Sequence, residues 1–447
     1  MFARLISLCI AGFVITAVAA PATQEFTLEN GLRVLVQEDH RAPVVVVQVW
    51  YKVGGSYELD GATGVSHALE HMMFKRTKHF ATGEISRRIA ELGGRENAFT
   101  TADYTTYFQQ WAASNVALSF ELEAERMHNL VLDPAEFVNE LKVIREERRL
   151  RTDDSPQALA FETILAHTWQ TSPYRQPVIG WASDIEQMQL AELSVWYQRY
   201  YAPNNALLVV VGDVVPAAIQ GLAQQHFGAL PRQALPPPKD RPEVTQTGLK
   251  RLTIANSRQR IPMLIMNYKV PGLTQVGGAQ PGVEAWEIYA LEVLAATLDG
   301  GASARFAREL VRGSEVALTA GATYSGTSRL ADLFTFDGVP RDGVSLAQLE
   351  AAIKAQIAAV QKTPPTTAEL ARIKTGVVAE NIYQQDSLFS QAMMLGSLAV
   401  VGLDWQLKDQ YVAQIQAITP AQVQTVARKY FADEMATVAY LVPEQTP

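Results

Sequence analysis

Two stretches of this 447-residue chain constrain its fold more than anything else in it: RYYAPNNALLVVVGD, Arg199 to Asp213, and KYFADEMATVAYLVP, Lys429 to Pro443. Each leaves a helical segment, passes aromatic residues and a polar turn, and enters an apolar run with strand character. The second repeats the first at an offset of 230 residues (429 against 199). Between them, LPRQALPPPKDRPEVTQTG (Leu230 to Gly248) breaks the periodic pattern with prolines and mixed charge and reads as an extended linker. The arrangement predicts one α/β unit used twice, over residues 20–230 and 249–447, joined by a linker at 231–248.

Within the first unit, FTLENGLRVLVQED carries an Asn-Gly turn between strand-like runs, and VVVVQVWYKVGGSYE reads as a buried strand. Helical patterns follow at Gly64–Phe74, Glu84–Leu92, Ala113–Leu132 and Pro134–Arg151. Runs of strands followed by runs of helices predict an α+β class, with helices packed on mainly antiparallel sheets.

The first nineteen residues follow a different logic. Arg4, an apolar run from Leu5 to about Thr16 and the small residues Ala17-Val18-Ala19 make a cleavable export signal, which predicts a periplasmic or secreted protein. The apolar run is short for a membrane span and no second such segment follows, so no stable membrane insertion is expected after cleavage. Cys9, the one cysteine, lies within that signal, leaving a mature chain without disulfides. A net charge of −8 supplies no basic field for nucleic acid.

All seven histidines precede the linker, so an imidazole-based metal site can lie only in the first unit. Among them, GVSHALEHMMF places His67 and His71 four apart with Glu70 before the second. On a helix, positions i and i+4 share a face and i+3 lies beside them. Two imidazoles can therefore meet one Zn²⁺ while Glu70 takes a proton from a water that the cation acidifies. The bland alternative is a capping or core-edge histidine pair with an exposed glutamate. A catalytic zinc needs a third protein ligand and an open position. DPAEFVNELKVIREERRLRTDD offers Glu147, with Glu140 two turns earlier on the same face to support the ligand shell. Glu146 points about 100° away and is the weaker choice. Without the histidines, the same charged run would read as a solvated, salt-bridged face.

His67-x-x-Glu70-His71 followed by Glu147 resembles the pitrilysin/insulinase metallopeptidases, and the length and duplicated organisation are similar to their processing-peptidase branch. The resemblance spans essentially the whole mature chain. It implies one zinc held by His67, His71 and Glu147, with Glu70 as general base and Glu140 behind the ligands. GGRENAFT then matches the family's strand that pairs with substrate backbone, which puts Asn97 and Ala98 at substrate-binding positions. The implied substrates are extended or unfolded peptides, recognised by strand addition.

One departure stands out. Relatives that act alone carry an Arg and a Tyr seven residues apart in the second half; here Val311 and Leu318 take those places, with Arg312 one residue off and Tyr324 six beyond. The expectation is a heterodimer whose homologous partner subunit supplies the pair, with a homodimer of rearranged second halves as the alternative. A catalytically silent peptide-binding or structural subunit of a related complex is the competing function, and it would be marked by a missing ligand or base.

Overall fold

The computed structural model describes residues 23–237, 241–278 and 282–444; the export signal at 1–19 and residues 238–240 of the linker lie outside them. The chain builds two mixed sheets. In the first, β1 (Thr23–Thr27), β2 (Arg33–Glu38), β3 (Val44–Tyr51), β4 (Arg95–Thr100), β5 (Thr105–Ala112) and β6 (Ala206–Gly212) stand in the order β1-β2-β6-β3-β5-β4. In the second, β7 (Lys250–Asn256), β8 (Met263–Val270), β9 (Ala317–Tyr324), β10 (Asp332–Pro340) and β11 (Ala436–Pro443) run β7-β11-β8-β10-β9.

Apart from β1, the two orders are the same. So are the directions: β2·β6 and β7·β11 are the parallel pairs, and every other neighbour is antiparallel. The closing strands β6 and β11 begin at Ala206 and Ala436, which carries the 230-residue offset of the sequence into the architecture.

Why β6 reads as an unbroken apolar run, and β3 as one broken only by Gln48, is plain from their surroundings. Residues of one parity (Val45, Val47, Val49, Tyr51, Leu208, Val210) face the main core of the first half under its own helices. The other parity (Val46, Trp50, Leu207, Val209, Val211) packs on Ala392, Leu395 and Ala399. Those residues sit on the helix Leu388–Val400, which belongs to the second half. The exchange is reciprocal. The first half's helix Pro156–Thr168 lays Ala160 and Ile164 on Ile265, Ala439 and Leu441 of the second sheet. The central strands of each sheet are thus buried on both faces, one of them by a helix from the opposite half, and strands buried on both faces lose the polar alternation of a solvated sheet.

Candidate metal centre

The short helix Val65–Met72 carries the motif. Val65, Ala68, Leu69 and Met72 recur at helical spacing and are buried in the first-half core, so His67, Glu70 and His71 come out on the other side. Its start is held by tertiary contacts. Gly64 adopts φ +85°, in the left-handed region, and a Cβ there would lie 2.5 Å from the Ile179 carbonyl oxygen. The Gly64 and Ser66 N–H groups both donate to the carboxyl of Glu58, each at 2.7 Å. Glu58 is fully buried, and desolvation pushes its carboxyl up to about 7 despite those two backbone donors.

The second contributor is the helix Pro134–Arg148, capped as expected by Asp133, whose Oδ1 accepts from Ala135 N–H and Glu136 N–H. Phe137, Leu141, Ile144 and Arg148 form its buried stripe, and Glu140 and Glu147 flank it toward the histidines. One detail departs from the expected single helix to Arg151. The α-helix ends at Arg148 and continues as a π-helical turn, Arg149–Asp153. An extra residue per turn re-aims side chains, and such turns recur at functional sites.

The third wall is β4, the edge strand that pairs only with β5 among the described residues. His67, Glu70, His71, Asn97, Ala98, Thr100, Glu147 and Arg151 line one crevice of about 810 Å³. Glu146 also touches its rim, but its carboxylate is spent on Arg149 at 2.6 Å in solvent.

The ligand atoms converge. Glu147 Oε2 lies 3.3 Å from His71 Nε2 and 3.7 Å from His67 Nε2. Tetrahedral zinc with bonds of about 2.0–2.2 Å sets neighbouring donor atoms about 3.3–3.6 Å apart, so the three would need only small shifts to close on one ion. Among the described residues this is the one set of three such side chains gathered closely enough to share a metal. Burial first, then the neighbouring His71 and Arg151, press the His67 imidazole down to about 3, so it is neutral and keeps a lone pair for a cation at any physiological pH.

Groups behind the ligands orient them. His71 Nδ1–H donates to Glu140 Oε2 at 3.2 Å, which leaves Nε2 as the acceptor facing Glu147, and Glu140 is itself held by Lys75 Nζ at 2.5 Å. His67 Nδ1 is buried with no hydrogen-bond partner. Glu70 is 9 % exposed, its carboxyl raised above the ordinary range by burial and drawn back down by the Thr100 hydroxyl, which donates to Oε2 at 2.5 Å. A carboxyl raised in that direction holds a proton more readily than an ordinary glutamate, which suits a group that accepts and returns one.

Sequence reasoning missed Thr100, Lys75, Arg151 and Glu58. Thr100 had a signal, as the threonine closing GGRENAFT; Arg151 was hidden in a run that reads as solvated charge. In the second half, Val311 packs partly buried on that half's core and Leu318 is 55 % exposed on β9. Arg312 donates to the Ala302 carbonyl and the Tyr324 hydroxyl to the Pro271 carbonyl, each at 2.5 Å, so both are engaged within their own half.

Comparison with known proteins gives the family. The profile described as Insulinase (Peptidase family M16) matches residues 33–181, and Peptidase M16 inactive domain matches residues 187–377. The zinc protease PqqE of Helicobacter pylori is 31% identical over 429 residues, covering 95% of this chain and 93% of the relative. The chain belongs to the insulinase (M16) peptidase family. The crystal structure of a protease from Helicobacter pylori superposes on this M16 chain with a TM-score of 0.88 at 30% identity, covering 95% of this chain and 100% of the other. The periplasmic protease PqqL from Escherichia coli shares the fold alone, with a TM-score of 0.77 at 19% identity over 94% of this chain and 47% of that one. The relative named a zinc protease and the match of the second half to an inactive domain fit a two-domain member of a zinc protease family.

Proposed function

We propose that this M16 chain is an exported zinc endopeptidase of extended or unfolded peptides. His67, His71 and Glu147 would hold the ion, and Glu70 would serve as general base. The observation that carries the reading is the convergence of His67 Nε2, His71 Nε2 and Glu147 Oε2 at spacings suited to zinc, with Glu70 beside them in an open crevice.

When bound, zinc would acidify a water and polarise the scissile carbonyl. Glu70 would take the water proton at its free carboxylate oxygen, Oε1, while Thr100 keeps Oε2. The water oxygen bonds the carbonyl carbon as the C=O π pair moves onto oxygen. When the C–N bond breaks, Glu70 would return the proton to the departing amine, so the group ends as it began. The unpaired edge of β4 would align the peptide, with Asn97 and Ala98 beside the metal centre, by backbone hydrogen bonds that ask little of the side chains.

The division at 20–230 and 249–447 and the export signal belong to the same reading. The periplasmic relative supports the compartment, and among the described residues no helix is long and apolar enough to cross a membrane. A homologous partner subunit carrying an Arg/Tyr pair completes it, motivated by Val311 and Leu318.

Glu70→Gln tests the core of the proposal. The variant should bind one zinc per chain and fail to cut an unstructured peptide that the zinc-loaded wild type cuts; turnover by the variant contradicts the assigned base. Assaying the purified chain alone against the chain with its co-purifying partner measures what the partner adds.

A further inference from the structure

Arg151 is the one arginine of its run that is not spent on fastening the chain. Arg148, buried, donates to Glu162 Oε2 at 2.9 Å and to the Gly180 carbonyl at 2.8 Å, and pairs with Asp153 at 3.2 Å. Arg149 bridges Glu146 and Asp154. From the second half, Arg258 donates to Asp154 Oδ1 at 2.6 Å and to the Asp153 carbonyl. Together these contacts clamp the π-helical turn at Arg149 and at Asp153–Asp154, its two ends. Arg151, in the middle of that turn, lines the metal crevice instead.

Its side chain is 76 % exposed, and Nη1 lies 2.6 Å from Glu147 Oε1, the carboxylate oxygen other than the Oε2 that faces the imidazoles. An ion pair so exposed adds little to stability, so fold stability does not account for its placement. A guanidinium has five N–H donors in a fixed fork. Among the described residues, Glu147 is the one group that Arg151 pairs with, so the other arms of the fork remain open to the crevice beside the metal centre.

We propose that Arg151 is a catalytic residue, which holds the scissile carbonyl oxygen of a bound peptide and donates to the negative charge that grows there as the carbonyl is attacked. One arm of the fork stays on Glu147 and another turns to substrate. The inference rests on the zinc-peptidase reading above and assigns within this chain a donor otherwise sought only in a partner; a partner's Arg and Tyr would add to it. Preorganised donors at a developing oxyanion are commonly the largest single contribution to acyl-transfer catalysis.

The test uses full-length, zinc-loaded wild type, Arg151→Met and Arg151→Lys. The probes are a cleavable peptide, a phosphinic pseudopeptide of the same sequence, and its reduced-amide analogue, which has no carbonyl oxygen. Arg151→Met should lose about 100- to 1,000-fold in kcat/KM. Its affinity for the phosphinic compound, read by calorimetry, should fall in parallel. Reduced-amide binding should stay within about threefold, and zinc affinity, read by chelator competition, should stay within about tenfold. Arg151→Lys, which keeps the charge but loses the fork, should recover part of the loss.

Unchanged kcat/KM in Arg151→Met overturns the inference alone. So does a loss matched by an equal loss of zinc affinity, which would make Arg151 only a clamp on Glu147. A wild type that takes up zinc yet neither cuts the peptide nor binds the phosphinic compound overturns the zinc-peptidase reading and the inference together. Thermal melting of both variants should match wild type, because the side chain is exposed.

Discussion

Two glycines in neighbouring helices of the second half should respond oppositely to the same methyl group. Gly396 lies in the helix Leu388–Val400 where it crosses the first sheet, and a Cβ there would lie 2.2 Å from Trp50 Cε2 and 2.3 Å from Cζ2. Carbon atoms in contact sit about 3.5–4.0 Å apart, so helix and indole must separate by roughly 1.3 Å or more. Trp50 cannot yield cheaply: it is fully buried, its Nε1–H donates to Gln48 Oε1 at 3.0 Å, and Tyr104 packs against its ring at 4.8 Å between centroids. Overpacking of this kind costs about 1–3 kcal/mol. Replacing a helical glycine by alanine returns about 0.5–1 kcal/mol of backbone entropy. Gly396→Ala should therefore destabilise by about 1 kcal/mol net at the middle of those ranges, and by at most about 2.5 kcal/mol. Gly376, inside the helix Thr367–Gln384, has nothing within 4 Å of where its Cβ would stand. Gly376→Ala should stabilise by about 0.5–1 kcal/mol. Urea unfolding of both variants, followed by far-UV circular dichroism, reads the difference. Equal effects at the two sites, or a Gly396→Ala protein as stable as wild type, would refute the seating of this helix on Trp50.

Other consequences follow from the site. Glu140→Gln, which weakens the acceptor of His71 Nδ1–H and loses the Lys75 ion pair, should cut zinc affinity about 10- to 100-fold in a chelator competition, and unchanged affinity would remove Glu140 from the ligand support. Glu58 gives a pH dependence whose sign can be worked out. Its folded value, about 7, lies above the ordinary 4.5, so the folded state holds the extra proton between those values. Its contribution to stability is therefore greatest below about pH 4.5, declines as pH rises to about 7 and is constant above, a swing on the order of 3 kcal/mol. Glu58→Gln does not titrate, so the stability gap between wild type and variant should change across that window; a gap independent of pH would show that Glu58 titrates normally.

The candidate metal centre was legible because helical spacing puts His67, Glu70 and His71 on one side, and Glu140 and Glu147 two turns apart on another helix. The duplication was legible at β6 and β11, where two strands repeat the same approach. What escaped is long-range. VVVVQVWY announces a strand buried on both faces, but apolar periodicity says only that a side chain is covered, not that Ala392, Leu395 and Ala399, some 340 residues later, cover it. The Glu58 carboxyl meets the start of the motif helix only after the intervening loop folds back. The π turn that puts Arg151 at the crevice depends on Glu162 and on Arg258 of the other half, so no local pattern of charges could announce it.

The traded helices also govern how a peptide can enter. Pulling the halves apart would strip Leu388–Val400 from one sheet and Pro156–Thr168 from the other at once, wetting Trp50, Val209, Ile265 and Leu441 together. Opening the two lobes like jaws would therefore cost both buried faces at once. On the proposed function, a polypeptide would enter along the rim beside β4, and a folded domain would present no loose strand to that rim until some stretch of it had come undone.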